Sequence, residues 1–248
     1  MFVLALLGLE PEKIMKCLII IPAYNEVATI CTVIDSLVNL DLDLYVLVIN
    51  DGSIDDTAGC VRAAGCARVI DLACNLGIGG AVQTGFLYAL QNNFDVAVKF
   101  DGDGQHLASE IELLLETLLA KNVDVVIGSR FLRAGGFRST FSRRLGIRLL
   151  ELVNSICLGR RLRDNTSGFR AYNRRAIEFL AENYPAIDYP EPEEVVLLAR
   201  NGFDVIETAV AMAPRQGCSS SISPGRSLHY MAKVLLAILM THLRPAAK

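Results

Sequence analysis

The amino-acid sequence predicts an α/β fold in which a mainly parallel sheet is covered by helices on both faces. Short, continuous apolar segments alternate with longer segments of helical character, as is typical of a parallel sheet buried on both sides. Polar clusters follow these apolar segments, where buried strands would end. We expect the strands at 17–22, 45–50, 67–72, 96–100 and 123–128.

The predicted helices lie between these strands. A polar turn after the first strand leads to a helix at about 28–40. Asp56 or Thr57 is expected to cap the next helix, which runs to about residue 64. Helices at about 79–91 and 109–121 follow, and the leucines and isoleucines of the second fall on one face.

Length and composition favour one globular domain. The chain has 248 residues, of which 52% are hydrophobic and 21% charged, so it can bury a full core. Its formal net charge of −3 is too balanced to indicate a nucleic-acid surface. The seven cysteines are scattered and form no C-x-x-C pair, which predicts reduced thiols in a cytoplasmic protein.

The chain divides into three expected parts: an N-terminal extension (1–16), the main domain (17–226) and a C-terminal apolar or amphipathic helix (227–248). No segment is long and apolar enough to predict a membrane-spanning helix. The apolar run 231–243 is short, and Lys233 interrupts it. We expect this helix to pack on the body of the protein, a membrane protein or a membrane surface.

Polar clusters follow the predicted strands at 24–26, 51–53, 101–106 and 129–130. In open α/β sheets, ligands bind beyond the carboxyl ends of the strands. Clusters at several strand ends therefore predict one binding site at this edge of the sheet.

The cluster 101–106 has the composition of a divalent-metal site. Asp101 and Asp103 are separated by a glycine, and Mg²⁺ prefers carboxylates together with phosphate oxygens. Gln105 would add a carbonyl oxygen, and His106 would be a ligand or orient one. The alternative is a loop of capping aspartates and turn glycines. The metal interpretation is favoured because the cluster follows an apolar strand.

Two further segments have both structural and functional interpretations. Asp51 begins an Asp-Gly-Ser turn, but its place after a strand would let its carboxylate bind a base or ribose. The glycine-rich segment 75–80 fits neither the dinucleotide nor the P-loop fingerprint. We interpret it as a closely packed helix start, with a contact to the donor as the alternative.

These segments together resemble the family-2 glycosyltransferases. The resemblance covers about 17–217 and is carried by 21–26 (IPAYNE), 50–57 (NDGSIDDT), 75–77 (NLG), 101–106 (DGDGQH) and 128–130 (GSR). The sequence is most similar to the branch that contains dolichyl- and polyprenyl-phosphate mannose and glucose synthases. It departs from the family at Asn50, where an acidic residue is usual. Members of that branch often carry transmembrane helices after this domain, and none is predicted here.

The resemblance implies a single nucleotide-diphospho-sugar transferase (GT-A) domain, a nucleotide-sugar donor, UDP- or GDP-linked, and inversion at the anomeric carbon. It also implies roles for individual residues. Pro22, Tyr24 and Glu26 would line the nucleoside pocket, with Asp51 on the base or ribose and Asp101 on the nucleotide. Asp103 and Gln105, beside Asp101, would hold Mg²⁺ or Mn²⁺. Arg130 would contact the phosphates or the acceptor, 167–170 would form the acceptor-side loop, and Arg215 would close over the diphosphate.

The segment 188–194 contains the candidates for a general base. Two prolines are expected to keep it extended before Glu193 and Glu194 begin a helix. Transfer to a hydroxyl needs a carboxylate to accept its proton, and Glu191 or Glu193 would serve. A phosphate acceptor is already ionised and needs no base.

Three interpretations of function remain open. Arginines between 133 and 170 favour an anionic acceptor such as a polyprenyl phosphate, with the protein peripheral on the inner face of the membrane. The Glu191 region favours a sugar hydroxyl in glycan synthesis. The apolar C-terminal run would suit a catalytically silent nucleotide-binding subunit that docks on a membrane protein.

Overall fold

The computed structural model describes residues 15–132, 150–157, 159, 161–185, 190–213 and 224–243. Its strands are β1 (Cys17–Ala23), β2 (Leu44–Asn50), β3 (Arg68–Asp71), β4 (Val96–Lys99), β5 (Val125–Ser129), β6 (Arg170–Asn173) and β7 (Val205–Ala209). They form one sheet in the order β3-β2-β1-β4-β6-β5-β7. Strand β6 runs antiparallel to β4 and β5, and the other pairs are parallel. The predicted α/β architecture with a mainly parallel sheet is confirmed.

Helices cover both faces of the sheet. They are α1 (Ile30–Val38), α2 (Thr57–Ala64), α3 (Gly77–Gln91), α4 (Ile111–Lys121), α5 (Arg174–Asn183), α6 (Glu191–Arg200) and α7 (Pro224–Leu243), and residues 150–157 are also helical. Alternate residues of β1 point to opposite faces: Ile19 and Ile21 pack with α1, α2 and α4, whereas Leu18 and Ile20 pack with α3, α5 and α6. Both faces of β1 are therefore core.

Local sequence explains several element ends. Helix α2 ends at Gly65 and α4 ends at Asn122, both in the left-handed conformation that closes helices. The Asn173 side chain caps α5 by accepting a hydrogen bond from the Ala176 amide at 2.9 Å. Each strand and helix predicted between residues 17 and 128 is present, and its ends coincide with the expected ones or differ by at most two residues.

Two expectations for the second half of the chain are wrong. Helix α6 begins at Glu191, not at Glu193, because Pro192 occupies the first turn, where a missing amide proton costs nothing. Arg170 was expected on a basic surface, but its side chain is fully buried in β6.

Helix α7 packs at the edge of the domain on α6. The helical residues 150–157, α6 and α7 share a third apolar cluster, which contains Leu150, Val196, Val234 and Ile238. Within the described ranges, no helix combines the length and apolar character needed to cross a membrane.

Candidate active site

The loops that follow β1, β2 and β4 are joined by hydrogen bonds at the carboxyl edge of the sheet. The Asn25 amide donates to Ser53 Oγ at 3.0 Å, and the Ile54 amide donates to Asn25 Oδ1 at 2.9 Å. Thr29 Oγ1 donates to the carbonyl of Gly102 at 2.8 Å. These hydrogen bonds bring the predicted clusters 24–26, 51–53 and 101–106 together at this edge of the sheet.

Asp51 is nearly inaccessible and holds the start of α3. Its Oδ1 accepts the Leu76 amide at 2.7 Å. Burial raises the pKa of Asp51, and hydrogen bonds from the Leu76 and Gly77 amides oppose that rise. Gly52 has a φ of +68°, and a Cβ there would lie 2.7 Å from the Asn75 amide nitrogen. One role of Asp51 is thus to fasten the β2 loop to the glycine-rich segment, which is the closely packed helix start that the sequence predicts.

Asn50, the departure from the family pattern, binds the neighbouring strand. Its Nδ2 donates to Asp71 Oδ1 at 2.8 Å, and its Oδ1 accepts the Ser53 amide at 3.3 Å. Arg62 forms an ion pair with the other oxygen of Asp71. A second carboxylate at position 50 would be repelled by Asp71, so the amide suits this position.

His106 orients Asp101. The Asp101 amide donates to His106 Nδ1 at 3.0 Å, which places the imidazole proton on Nε2, 3.4 Å from Asp101 Oδ2. Burial lowers the pKa of His106, although Asp101 and Asp103 oppose this, so the ring is neutral. It stacks on Phe169 at a centroid distance of 4.9 Å. Of its two predicted roles, the structure supports that of an orienting residue.

The Asp101 carboxylate has an open acceptor position. Its Oδ1 is buried and has no hydrogen-bond partner among the described residues. A Cβ at Gly168 would lie 2.9 Å from Asp101 Oδ2 and 3.0 Å from Oδ1, so the acceptor-side loop approaches this carboxylate closely. Asp103 Oδ1 accepts the Gln105 amide at 3.0 Å.

The oxygen donors of 101–105 fit a hard divalent cation that also binds a ligand. Asp101 and Asp103 supply carboxylates, and Gln105 supplies an amide oxygen. Within the part of the chain that is described, no three His, Cys, Asp or Glu side chains form a metal-binding group. Two carboxylates and an amide oxygen would suit Mg²⁺ or Mn²⁺ that completes its coordination with phosphate oxygens and water.

Arg130 is bound by Asp164. Its Nε donates to Asp164 Oδ2 at 2.7 Å and its NH2 to Oδ1 at 2.6 Å, while NH2 also donates to Thr166 Oγ1 at 2.7 Å. Burial acts to lower the pKa of Arg130, but Asp164, Asp101 and Glu191 outweigh it and raise that pKa. Arg130 is therefore a fixed, oriented cation within the field of Asp101. The sequence did not indicate that Asp164 would orient it.

The two candidate bases have other partners. Glu191 Oε1 is 2.5 Å from Nζ of Lys99, a fully buried lysine at the end of β4. Burial acts to raise the pKa of Glu191, but Lys99 and Arg170 outweigh it, so the carboxylate is a weaker base than usual. Glu193 Oε1 accepts a hydrogen bond from Thr241 Oγ1 of α7 at 2.6 Å. The ion pair with Lys99 disfavours Glu191 as a general base, whereas Oε2 of Glu193 is buried with no hydrogen-bond partner among the described residues.

The acidic first turn of α6 is a buried network. The third glutamate, Glu194, accepts from Tyr172 at 2.9 Å and Tyr184 at 3.0 Å, and its Oε1 lies 3.0 Å from Arg170 NH1. Sequence reasoning missed Lys99. The only feature of the sequence that could have indicated Lys99 is its position in an apolar strand, two residues before Asp101.

The remaining predicted site residues lie at the same edge or outside the described residues. Tyr24 is half-exposed, Pro22 is partly buried, and Glu26 Oε2 accepts from Thr29 Oγ1 at 3.0 Å. Arg215 lies outside the described residues, as do most arginines of the predicted basic region.

Comparisons with known proteins agree with this arrangement. The family model "Glycosyl transferase family 2" matches residues 18–180. The polyprenol monophosphomannose synthase of Mycolicibacterium smegmatis is 29% identical over 240 residues, covering 92% of this chain and 89% of the relative. The undecaprenyl-phosphate mannosyltransferase of Micrococcus luteus is 32% identical over 219 residues, covering 85% of this chain and 89% of the relative.

A solved structure shows the same fold. It is the crystal structure of glucosyl-3-phosphoglycerate synthase from Mycobacterium tuberculosis with Mn²⁺, UDP-glucose and phosphoglyceric acid. The TM-score is 0.70 at 23% identity, and the match covers 96% of this chain and 87% of that one.

Proposed function

The chain belongs to glycosyl transferase family 2, and from that membership we propose that it transfers a sugar from a nucleotide-diphosphate sugar to a polyprenyl phosphate. Relatives at 29% and 32% identity that carry the names of polyprenyl-phosphate sugar transferases support this acceptor. The donor is proposed to be UDP- or GDP-linked, with Pro22, Tyr24, Glu26 and Asp51 around its nucleoside.

The observation that carries the proposal is the buried, unpartnered Asp101 Oδ1 in the described structure, at the carboxyl end of β4. A buried acceptor without a donor costs free energy, and a metal ion or a ligand group at this atom would supply the missing partner. Asp101, Asp103 and Gln105 would hold Mg²⁺ or Mn²⁺. When bound, such a cation neutralises the charge that develops on a leaving diphosphate. Asp101 would also contact the nucleotide.

In the proposed mechanism, the protein contributes positively charged side chains that are held in place beside the phosphates. Arg130, held by Asp164, presents a guanidinium within the field of Asp101 and would stabilise phosphate oxygens without reorganisation. The acceptor phosphate attacks the anomeric carbon from the face opposite the leaving diphosphate, so the configuration inverts. Arg215, which lies outside the described residues, is proposed to contact the diphosphate, as the family resemblance implies.

The environment of Glu191 favours a phosphate over a hydroxyl acceptor. A hydroxyl must lose its proton to a base. Glu191 is neutralised by Lys99, and Glu193 is bound to Thr241. A phosphate needs no base, so these carboxylates are compatible with the lipid acceptor. Transfer to a sugar hydroxyl would require the Glu191–Lys99 pair to open, and it is the alternative that an acceptor panel tests.

The test is a transfer assay with labelled UDP- and GDP-sugars and a short, water-soluble prenyl phosphate. We expect product with one donor, loss of product in EDTA, and loss of turnover in Asp103→Ala. Asp35→Asn, which changes an exposed carboxylate on α1, is the matched control and should keep full activity. Normal turnover by Asp103→Ala would contradict the proposed site. If product forms only with a glycan acceptor, the acceptor is a sugar hydroxyl and not a lipid phosphate.

Nucleotide binding separates an enzyme from a silent subunit. A nucleotide at a hundred times its dissociation constant should stabilise the fold by about 2.7 kcal/mol, which a thermal-shift experiment detects. A metal-dependent shift with UDP or GDP but no turnover with any acceptor would indicate the silent subunit.

A further inference from the structure

Glu207, a partly buried residue of β7, binds two consecutive backbone amides of the segment that carries Asp164. Its Oε2 accepts the Arg163 amide at 2.8 Å, and its Oε1 accepts the Asp164 amide at 2.6 Å. Both bonds are short and charge-assisted, and together they use both oxygens of the carboxylate. Glu207 therefore fixes the backbone of residues 163–164 against the sheet.

Asp164, which Glu207 fixes in this way, is the residue that binds Arg130. The Asp164 side chain is fully buried and accepts three hydrogen bonds from Arg130. These come from the backbone amide at 2.8 Å, from Nε at 2.7 Å and from NH2 at 2.6 Å. An aspartate has only two side-chain torsions between its backbone and its carboxylate, so the carboxylate follows the backbone closely. A displacement of the backbone at residue 164 would therefore change the direction of the Arg130 guanidinium.

The following residues of the same segment have a different anchor. Arg170 of β6 donates from Nε to the carbonyl of Ser167 at 2.8 Å, and from NH2 to the carbonyl of Asn165 at 2.9 Å. The segment is thus held at both ends, by Arg170 through its carbonyls and by Glu207 through its amides. The end that carries Asp164 depends on Glu207.

The charge of Glu207 is costly at this position. Burial raises the pKa of Glu207, the amides of Arg163 and Asp164 oppose that rise, and the neighbouring Asp164 carboxylate adds to it. An uncharged side chain would avoid the repulsion between two partly desolvated carboxylates. A carboxylate offers in return two strong acceptors on one rigid group, which hold two amides in a fixed direction. Such support is expected where the orientation of a side chain matters for function.

We propose that Glu207 is a positioning residue for Arg130: it fixes the backbone of Asp164 and thereby the direction of the guanidinium. The inference rests on the proposed function for the identity of the group that Arg130 contacts, the phosphates. The order of the guanidinium itself can be measured without turnover. Glu207 acts on the reaction indirectly, through Asp164 and Arg130.

Hydrogen exchange at the Arg130 Nε–H group, followed by nitrogen–proton NMR, measures this order. The signal is assigned by its absence in Arg130→Lys. Glu207→Gln keeps the size of the side chain but replaces one acceptor oxygen by an NH2 group, so one of the two amides loses its acceptor. We expect exchange at Nε–H to become roughly tenfold faster or more in this variant. Unchanged exchange would refute the inference, whether or not the protein turns over a substrate.

Asp124→Asn is the matched control. Asp124 Oδ2 also accepts a backbone amide, that of Asp204, at 2.8 Å, and it accepts a bond from Arg175 NH1 at 2.7 Å. Asp124 lies at the opposite end of β5 from Arg130. We expect this variant to lose stability but to keep native exchange at Arg130 Nε–H and native kcat. Equal acceleration of exchange in both variants would indicate a general loss of order, and the inference would be wrong.

Turnover in two backgrounds tests whether Glu207 acts through Arg130. In the native background, Glu207→Gln should lower kcat for transfer to the short prenyl phosphate roughly tenfold, because a small misplacement of a charge costs much of its effect. Arg130→Lys keeps the charge but cannot form the paired bonds to Asp164. In that background, Glu207→Gln should lower kcat by less than about twofold, because both changes remove the same interaction. Equal losses in both backgrounds would overturn the inference.

Two further points keep the test decisive. Glu207→Asp serves if glutamine impairs folding, since its shorter side chain keeps the charge but cannot reach both amides, and the same acceleration of exchange is expected. Absent transfer by the native chain would refute the proposed function alone, because the exchange experiment needs no substrate.

Discussion

Replacing Lys99 by methionine removes the cation that compensates the buried Glu191 carboxylate. The side chains are 0% and 9% exposed, and Nζ lies 2.5 Å from Oε1. At that distance and an effective dielectric constant of about 20, the Coulomb attraction is about 7 kcal/mol, part of which only offsets desolvation. Removing one partner of a buried pair typically costs about 3–5 kcal/mol, and we expect Lys99→Met to lower the free energy of unfolding by that amount.

The loss of stability in Lys99→Met should depend on pH. In the native protein the pKa of Glu191 is lowered, so the pair stabilises the fold above the pKa of an unfolded glutamate, and this stability is lost as the pH falls through the folded pKa. In Lys99→Met, Arg170 would remain as the main charge that opposes the effect of burial, so the pKa of Glu191 should rise above its native value. The loss of stability in the variant should therefore be largest at neutral pH and should shrink under acid conditions, where Glu191 takes up a proton.

Urea unfolding followed by circular dichroism at several pH values measures both effects. Glu178→Gln is the control: its i,i+4 pair with Arg174 is 53% and 34% exposed, so a loss of only about 0.3–0.5 kcal/mol is expected. Lys99→Met/Glu191→Leu should recover most of the stability, because neither charge of this pair remains buried without its partner. A loss below about 1 kcal/mol for Lys99→Met, or one independent of pH, would refute the reasoning.

Two further predictions concern the geometry of the site. Gly168→Ala places a Cβ 2.9 Å from Asp101 Oδ2 and should weaken nucleotide binding roughly tenfold in a thermal-shift titration. The control is Gly102→Ala, whose Cβ would meet nothing closer than 3.5 Å. Equal effects of the two substitutions would contradict the proposed contact. Asp164→Asn removes the carboxylate that binds the Arg130 guanidinium. We expect it to lower the free energy of unfolding by about 2–4 kcal/mol and to reduce kcat. If both quantities are unchanged, Asp164 does not orient Arg130.

The expected sheet and the edge that carries the site followed from local patterns in the sequence. The apolar runs that became β1, β2, β4 and β5 are buried on both faces, and such runs are recognisable without knowledge of their neighbours. The polar clusters come directly after those runs, so their place at the carboxyl edge was determined by chain order. The identity of Asp101, Asp103 and Gln105 as candidate ligands needed only this reasoning and the family pattern.

The tertiary structure decided which side chains meet. Glu191, Glu193 and Glu194 lie within four consecutive residues, yet each has a different partner, on β4, on α7 and on β6. Their sequence predicts only a favourable helix start. The partners Lys99, Thr241 and Tyr172 lie 92, 48 and 22 residues away along the chain. The direction of each glutamate is set by how α6 packs on the sheet and on α7. Local pattern specifies the elements and the edge at which ligands bind, whereas the state of each charge depends on contacts that exist only after packing.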